Sequence, residues 1–275
     1  MERVAVPTRT IGPPPHRRRL FRFESTAQSH PGAVRDNNED FAFAGENLIA
    51  VADGVGGNVF GEVASEVVVA AISYLEDRIY IHAPDIEIKD AARYANYRLI
   101  CAIHEDGSLS GMATTLTALR LDGSSVMVLH IGDSRAYSLR GDEWQRLTRD
   151  DSLVQGLVDS GAITAAEARR HPARSVVVQA LNGGPVDPHV TTHDVMAGDR
   201  FLVCSDGLTD YVDEESIRRI VSSCADPQTC SAALVEAALE VGAPDNVSCV
   251  VADVTPLDPP SAAGGEPRRQ GDSAA

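Results

Sequence analysis

The stretch Leu20-Phe21-Arg22-Phe23-Glu24-Ser25-Thr26-Ala27 alternates apolar and polar positions, the period of a strand with one face toward a core. The apolar positions from 41 to 52 break only at Gly45-Glu46-Asn47, which predicts two strands joined by a turn. From 61 to 80, Val63, Val67, Ala70, Ala71, Tyr74 and Leu75 recur at helical spacing. A second helix is expected from about 85 to 105, with Ala91, Ala92, Ala95, Leu99 and Ile103 on one side. Three strand-like runs follow at 114–121, 125–131 and 135–139, punctuated by Asp122-Gly123 and Gly132-Asp133-Ser134. Short helices at 151–160 and 164–170 sit on a polar insertion that ends at His171-Pro172. Strands return at 189–194 and 200–205, then helices at 213–222 and 227–241, and a last strand at 247–254. Strands that bracket pairs of helices, instead of alternating with them, point to stacked α and β layers and not to a doubly wound sheet.

No linker or repeat interrupts this order, so a single domain over 20–255 is expected. Residues 1–19 form a basic stretch, with five arginines against Glu2, and read as a solvated, flexible arm. Residues 256–275 are rich in Pro, Gly, Ser and Ala and read as a disordered tail.

Charge narrows the partners. Twenty-four basic against 40 acidic residues give a formal charge of −16, which argues against nucleic acid or an anionic membrane as the main partner. No run approaches the roughly 18–20 apolar residues that span a bilayer. Five cysteines without a CxxC spacing are expected to be reduced and structural, and the protein cytoplasmic.

The candidate chemistry lies at strand ends. Asp53-Gly54 closes the run Leu48-Ile49-Ala50-Val51-Ala52, and Ser205-Asp206-Gly207 closes Phe201-Leu202-Val203-Cys204. Either Asp-Gly alone is an ordinary turn signal. Glu39/Asp40 and Asp245 add two further strand edges that carry acids. If the four sites converge, mutual repulsion raises their pKa values unless a cation neutralises them. With no Cys or His inside these motifs, an all-oxygen site for Mg²⁺ or Mn²⁺ is favoured over zinc.

An ordered series of motifs covers about residues 23 to 254: Arg35-x-x-x-Glu39-Asp40, Val51-Ala52-Asp53-Gly54-x-Gly56-Gly57, Gly61-Glu62-Val63-Ala64-Ser65 and Gly111-Met112-x-Thr114-Thr115. Gly132-Asp133-Ser134-Arg135-Ala136-Tyr137, Cys204-Ser205-Asp206-Gly207-Leu208 and Pro244-Asp245-Asn246-Val247 complete it. The set resembles the bacterial metal-dependent (type 2C, PPM) serine/threonine protein phosphatases. The resemblance implies an α+β fold, a four-layer α-β-β-α sandwich of two mainly antiparallel sheets flanked by helix pairs. A helical flap at about 149–172 is implied beside the metal site.

Carried over residue by residue, Asp53 bridges two metals, Glu39 and the Gly54 carbonyl serve one, Asp206 and Asp245 hold the other, and Arg35 binds the substrate phosphate. Glu39 and Asp40 compete for the ligand role; Glu39 is favoured, with Asp40 as its orienter. The implied activity is hydrolysis of phosphoserine and phosphothreonine in proteins, opposing a bacterial kinase, by a monomer with two Mn²⁺ or Mg²⁺ ions. A catalytically weak regulatory module and a hydrolase of small phosphoesters are the competing readings.

Three departures from the resemblance stand out. Val55 replaces the histidine that many eukaryotic members carry, which leaves the leaving-group proton unassigned. Ser108 aligns where bacterial relatives often have an aspartate for a third metal, so only two ions are expected. Asn58-Val59-Phe60 stands where a histidine and small residues are usual. Asp133 is read as a turn stabiliser, Thr114 and Thr115 as sheet residues, Trp144 as packing, and His171 as structural or exposed.

Overall fold

A computed structural model describes residues 19–55, 60–78 and 84–257 of the chain. The expected arm and tail therefore fall almost wholly outside the described residues, as do Gly56 to Val59.

The strands form two antiparallel sheets. In the first, β1 (Phe21–His30), β11 (Val247–Pro256), β10 (Arg200–Cys204), β7 (Arg135–Arg140) and β8 (Glu143–Arg146) lie side by side in that order. In the second the order is β2 (Asp40–Ala44), β3 (Leu48–Val55), β5 (Leu116–Asp122), β6 (Ser125–Ile131) and β9 (His189–Asp194), with the short β4 (Ala113–Thr114) on the end of β3. Helices α1 (Gly61–Ile72) and α2 (Pro84–Glu105) cover the second sheet, and α6 (Glu214–Ser223) and α7 (Pro227–Glu240) cover the first.

Alternation along single strands explains the layering. In β3, Leu48 and Ala50 pack against α1 and α2, while Ile49 and Val51 point between the sheets. In β10, Leu202 and Cys204 meet α6 and α7, while Phe201 and Val203 face inward, where Phe201 meets Phe23 edge-on at 6.0 Å. Central strands are thus buried on both faces, so they read as continuous apolar runs although their neighbours are antiparallel. The four-layer α-β-β-α arrangement follows directly, since each sheet needs one helical and one sheet partner to bury both faces.

Two elements differ from the sequence expectation. The helix from 61 ends at Ile72 and tightens into a 3₁₀ turn at Ser73–Leu75. That turn delivers Glu76 to the β2–β3 hairpin, where its carboxylate accepts the N–H groups of Glu46, Asn47 and Leu48 at 2.7–3.1 Å. The second difference is at the functional end. Strand β10 stops at Cys204, and Asp206 opens a one-turn helix, α5 (Asp206–Thr209), with Ser205 as N-cap. Among the described residues no helix is long and apolar enough to cross a membrane. All five cysteines are free, and Cys204, Cys230 and Cys249 are buried. Trp144 stacks on Tyr137 at 4.8 Å.

Candidate active site

Asp53 lies near the end of β3, directly opposite Asp40 at the start of β2. Its backbone is held on both sides: its N–H donates to Thr115 Oγ1 at 3.0 Å, and its carbonyl accepts Thr115 N–H at 2.8 Å and Thr114 Oγ1 at 2.9 Å. Thr115 and Thr114 thus fix the Asp53 backbone instead of only packing the sheet. The Thr115 hydroxyl also bonds Ser134 Oγ at 2.8 Å, which ties the β6–β7 turn to the same point.

Gly54 is glycine for lack of space: a Cβ there would stand 2.6 Å from the Gly61 backbone and 2.8 Å from Glu39 Cβ. Gly207 is under the same constraint, because its Cβ would meet the Asn246 carbonyl at 1.9 Å. The second Asp-Gly pair therefore presses a helix start against the 245–246 segment, and its glycine does more than turn the chain.

One amide ties three points of the remaining loop. Asn246 accepts the Glu39 N–H at 2.9 Å and donates to the carbonyls of Pro31 and Asn37 at 3.1 and 2.8 Å. Arg35, on that loop, reaches the Asp245 carboxylate at 3.0 Å. Its guanidinium is pushed up first by this hydrogen bond and then by the charges of Asp245, Glu39 and Asp53.

The carboxylates repel one another. Burial and then the charges of Asp40, Asp206 and Asp133 hold the Asp53 carboxyl well above the usual range. Asp206 is raised well above it too, by burial and by Asp133, Asp210, Asp245 and Asp40. Burial lifts Asp40 to about 6, against hydrogen bonds that favour its ionised form. One of its oxygens accepts Ser205 Oγ at 2.8 Å; the other, Oδ1, is buried without a hydrogen-bond donor among the described residues.

The structure therefore brings Asp53, Asp206 and Asp245 into electrostatic contact, with Arg35 beside them. Glu39 borders the group through Gly61 and Arg35, and its carboxylate accepts Asn37 Nδ2 at 3.0 Å. The charge of Asp40 acts on both Asp53 and Asp206.

Two acids join the cluster that sequence reasoning left out. Asp133 is buried and raised to about 7 by burial and by Asp150 and Asp210. Its Gly-Asp-Ser setting reads as a turn, yet its charge acts on Asp53 and Asp206. Asp210 lies one helical turn after Asp206, a spacing that places both on one face of α5. A cavity of about 210 Å³ separates Asp133, Asp206 and Asp210 from helices α3 (Leu153–Asp159) and α4 (Ala165–Ala168). At its base Asp150 takes a two-pronged pair from Arg135 and a further bond from Arg146. By contrast Asp106, near the position aligned for a third metal, bonds only Ser108 on an exposed turn.

The donors fit a hard divalent cation: they are oxygens, they destabilise each other when ionised, and one buried oxygen lacks a hydrogen-bond donor among the described residues. Among the described residues no three acidic, Cys or His side chains close on one point as a finished cage. The acids line a crevice, which suits ions that keep several waters.

The protein phosphatase 2C family profile matches residues 32–239. The chain belongs to the protein phosphatase 2C family. It is 44% identical over 234 residues to the serine/threonine protein phosphatase PstP of Mycobacterium tuberculosis, covering 84% of this chain and 45% of that protein. The chain thus spans about half the length of that curated relative. The serine/threonine phosphatase Stp of Listeria innocua is 32% identical over 81% of this chain and 92% of its own length. Among solved structures, the catalytic domain of PstP in complex with two manganese ions superposes with a TM-score of 0.79. It is 41% identical and covers 85% of this chain and 99% of that one. The protein phosphatase 2C sandwich accounts for the two sheets and their flanking helices.

Proposed function

We propose that the chain hydrolyses phosphoserine and phosphothreonine esters in proteins with two divalent ions, Mn²⁺ or Mg²⁺, at the acidic crevice. The observation that carries this reading is the convergence of Asp53 and Asp206, from separate sheets, beside the Arg35 guanidinium. The names and the manganese complex of the relatives support it. Asp53 would lie between the two ions, with the Gly54 carbonyl and Glu39 toward one and Asp206 and Asp245 toward the other. Asp40, through Ser205, holds the strand ends together from behind. Bound ions of this kind supply positive charge at the phosphoryl group and lower the pKa of water toward neutrality.

Arg35 binds the phosphoryl oxygens through its planar fork. Its ion pair with Asp245 keeps the guanidinium at the crevice, and a cation that takes Asp245 leaves those donors to the substrate. The flap at about 149–172 shapes substrate choice. Opposition to a kinase, a monomeric state and a cytoplasmic setting belong to this proposal and rest on the sequence alone.

The test is hydrolysis of a phosphothreonine peptide and of p-nitrophenyl phosphate with Mn²⁺, with and without chelator, by wild type, Asp53→Asn and Asp206→Asn. Mn²⁺ binding is measured by calorimetry alongside. Activity that survives chelation or both substitutions would sink the two-ion reading. Hydrolysis of the small ester alone would point to a small-phosphoester hydrolase.

A further inference from the structure

Phe60 carries a backbone that its side chain does not favour. With φ 55° and ψ 41° it occupies the left-handed region, where every other such position among the described residues is glycine. For a bulky side chain this conformation is strained, whereas glycine adopts it freely. The surrounding structure explains why the turn is needed. Gly61 begins α1 pressed against Gly54, and a Cβ on Gly61 would stand 2.5 Å from Glu39 Oε2. The chain must therefore swing outward at residue 60 to lay the helix start on the acidic crevice.

Among the described residues no apolar cluster takes up the aromatic at that turn. Phe60 is 39% exposed, lies in none of the three apolar clusters and makes no cap bond through its side chain. Its carbonyl accepts the Ala64 N–H at 3.1 Å, which any residue would do. Strain that persists without structural return is typical of residues kept for contact with a ligand.

Its position says which ligand. It directly precedes Gly61, which packs against Glu39, whose charge acts on Arg35, so Phe60 is an exposed aromatic one residue from the rim of an otherwise acidic and polar site. Val34, next to Arg35, is a second exposed apolar side chain on that loop. A phosphate held at Arg35 would bring the residues adjoining the phosphorylated one to this rim.

We infer that Phe60 is a specificity-determining residue that packs against an apolar side chain flanking the phosphorylated residue of a polypeptide substrate. The inference rests on the phosphatase reading above and narrows its substrate class. Part of the ring's remaining exposed surface would be buried in the complex, enough for a preference of about five- to tenfold in KM.

Two phosphothreonine peptides test it, one flanked by leucine and the other by glycine, with Mn²⁺ present. The wild type should show the lower KM for the leucine peptide. In Phe60→Gly and Phe60→Asn, both residues that accept the left-handed backbone, the KM ratio should fall to about one. Phe60→Tyr should restore it, which a purely structural role would not predict. A wild-type ratio near one, or a ratio that both variants leave intact, overturns the inference while the phosphatase reading stands. If the wild type hydrolyses neither peptide with Mn²⁺, the phosphatase reading fails and takes the inference with it.

Discussion

Strands β3 and β10 each cross two environments. In mid-sandwich their side chains alternate into apolar layers, and the preferences of backbone, side chain and neighbour agree. Toward one end, Asp53 lies two residues before the first strand finishes and Asp206 follows the second, and these preferences conflict. Like charges face each other across a strand pair, glycines press backbone against backbone, and one buried carboxylate oxygen has no hydrogen-bond donor among the described residues. In the middle, burial on both faces opposes nothing else the sequence asks for. The end makes sense only with a positively charged guest, and that contrast separates what folds the chain from what it is for.

The contrast breaks most sharply at Asp206. Asp206→Asn should lower phosphatase activity about a thousandfold or more, because it removes a proposed ion ligand. In chelator the same variant should melt several degrees higher than wild type, because it removes a charge that its neighbours oppose. Calorimetry on the metal-free protein and initial rates with Mn²⁺ read both effects. A variant that loses stability along with activity would place Asp206 in the supporting framework instead.

The mid-sandwich should behave in the opposite way. Phe201→Ala removes a ring buried against Phe23 between the sheets and should cost about 3–5 kcal/mol in denaturant unfolding. The rate per folded molecule should hold.

A third effect is smaller and depends on pH. The carboxyls of Asp40 and Asp133 are raised to about 6 and about 7. Groups that hold protons more tightly when folded favour folding below their ordinary values and lose that contribution as pH rises through the raised ones. The melting temperature in chelator should therefore fall from about pH 5 to about pH 8, and saturating Mn²⁺ should flatten the slope. A metal-free protein that gains stability over this interval would contradict the repulsion.

The mildest change is Arg35→Lys. It keeps the charge but loses the planar fork, and should raise KM for a phosphopeptide about tenfold. An unchanged KM would leave Arg35 as a surface partner of Asp245.

The layers were legible in the sequence because burial on both faces writes itself as unbroken apolar runs such as Leu48 to Ala52. The site was only partly legible. Asp53, Asp206 and Asp245 stood out at the ends of such runs. Asp133 did not, since Gly-Asp-Ser is also ordinary turn chemistry, and only the fold reveals that its turn abuts Thr115 and Asp53. Helix α5 was hidden for a similar reason: four residues are too few for periodicity to register, and Asp-Gly suggests a bend. Glu39 was favoured over Asp40 as ligand, and only pairing with β3 shows that Asp40 faces Asp53.

Asn246 has one more consequence. Its side chain bonds three points of the loop from Pro31 to Glu39, beside the separate ties of Ala33 N–H to the Ala243 carbonyl and of Asn38 to Ser29, so one carboxamide joins both ends of a loop pinned at several points. Removing that carboxamide, as in Asn246→Ala, should free both ends together and speed amide exchange across residues 32 to 39, although the other ties remain. Arg35 travels with the loop. The arginine proposed to bind phosphate would then depend for its place on a residue outside the proposed phosphate contacts.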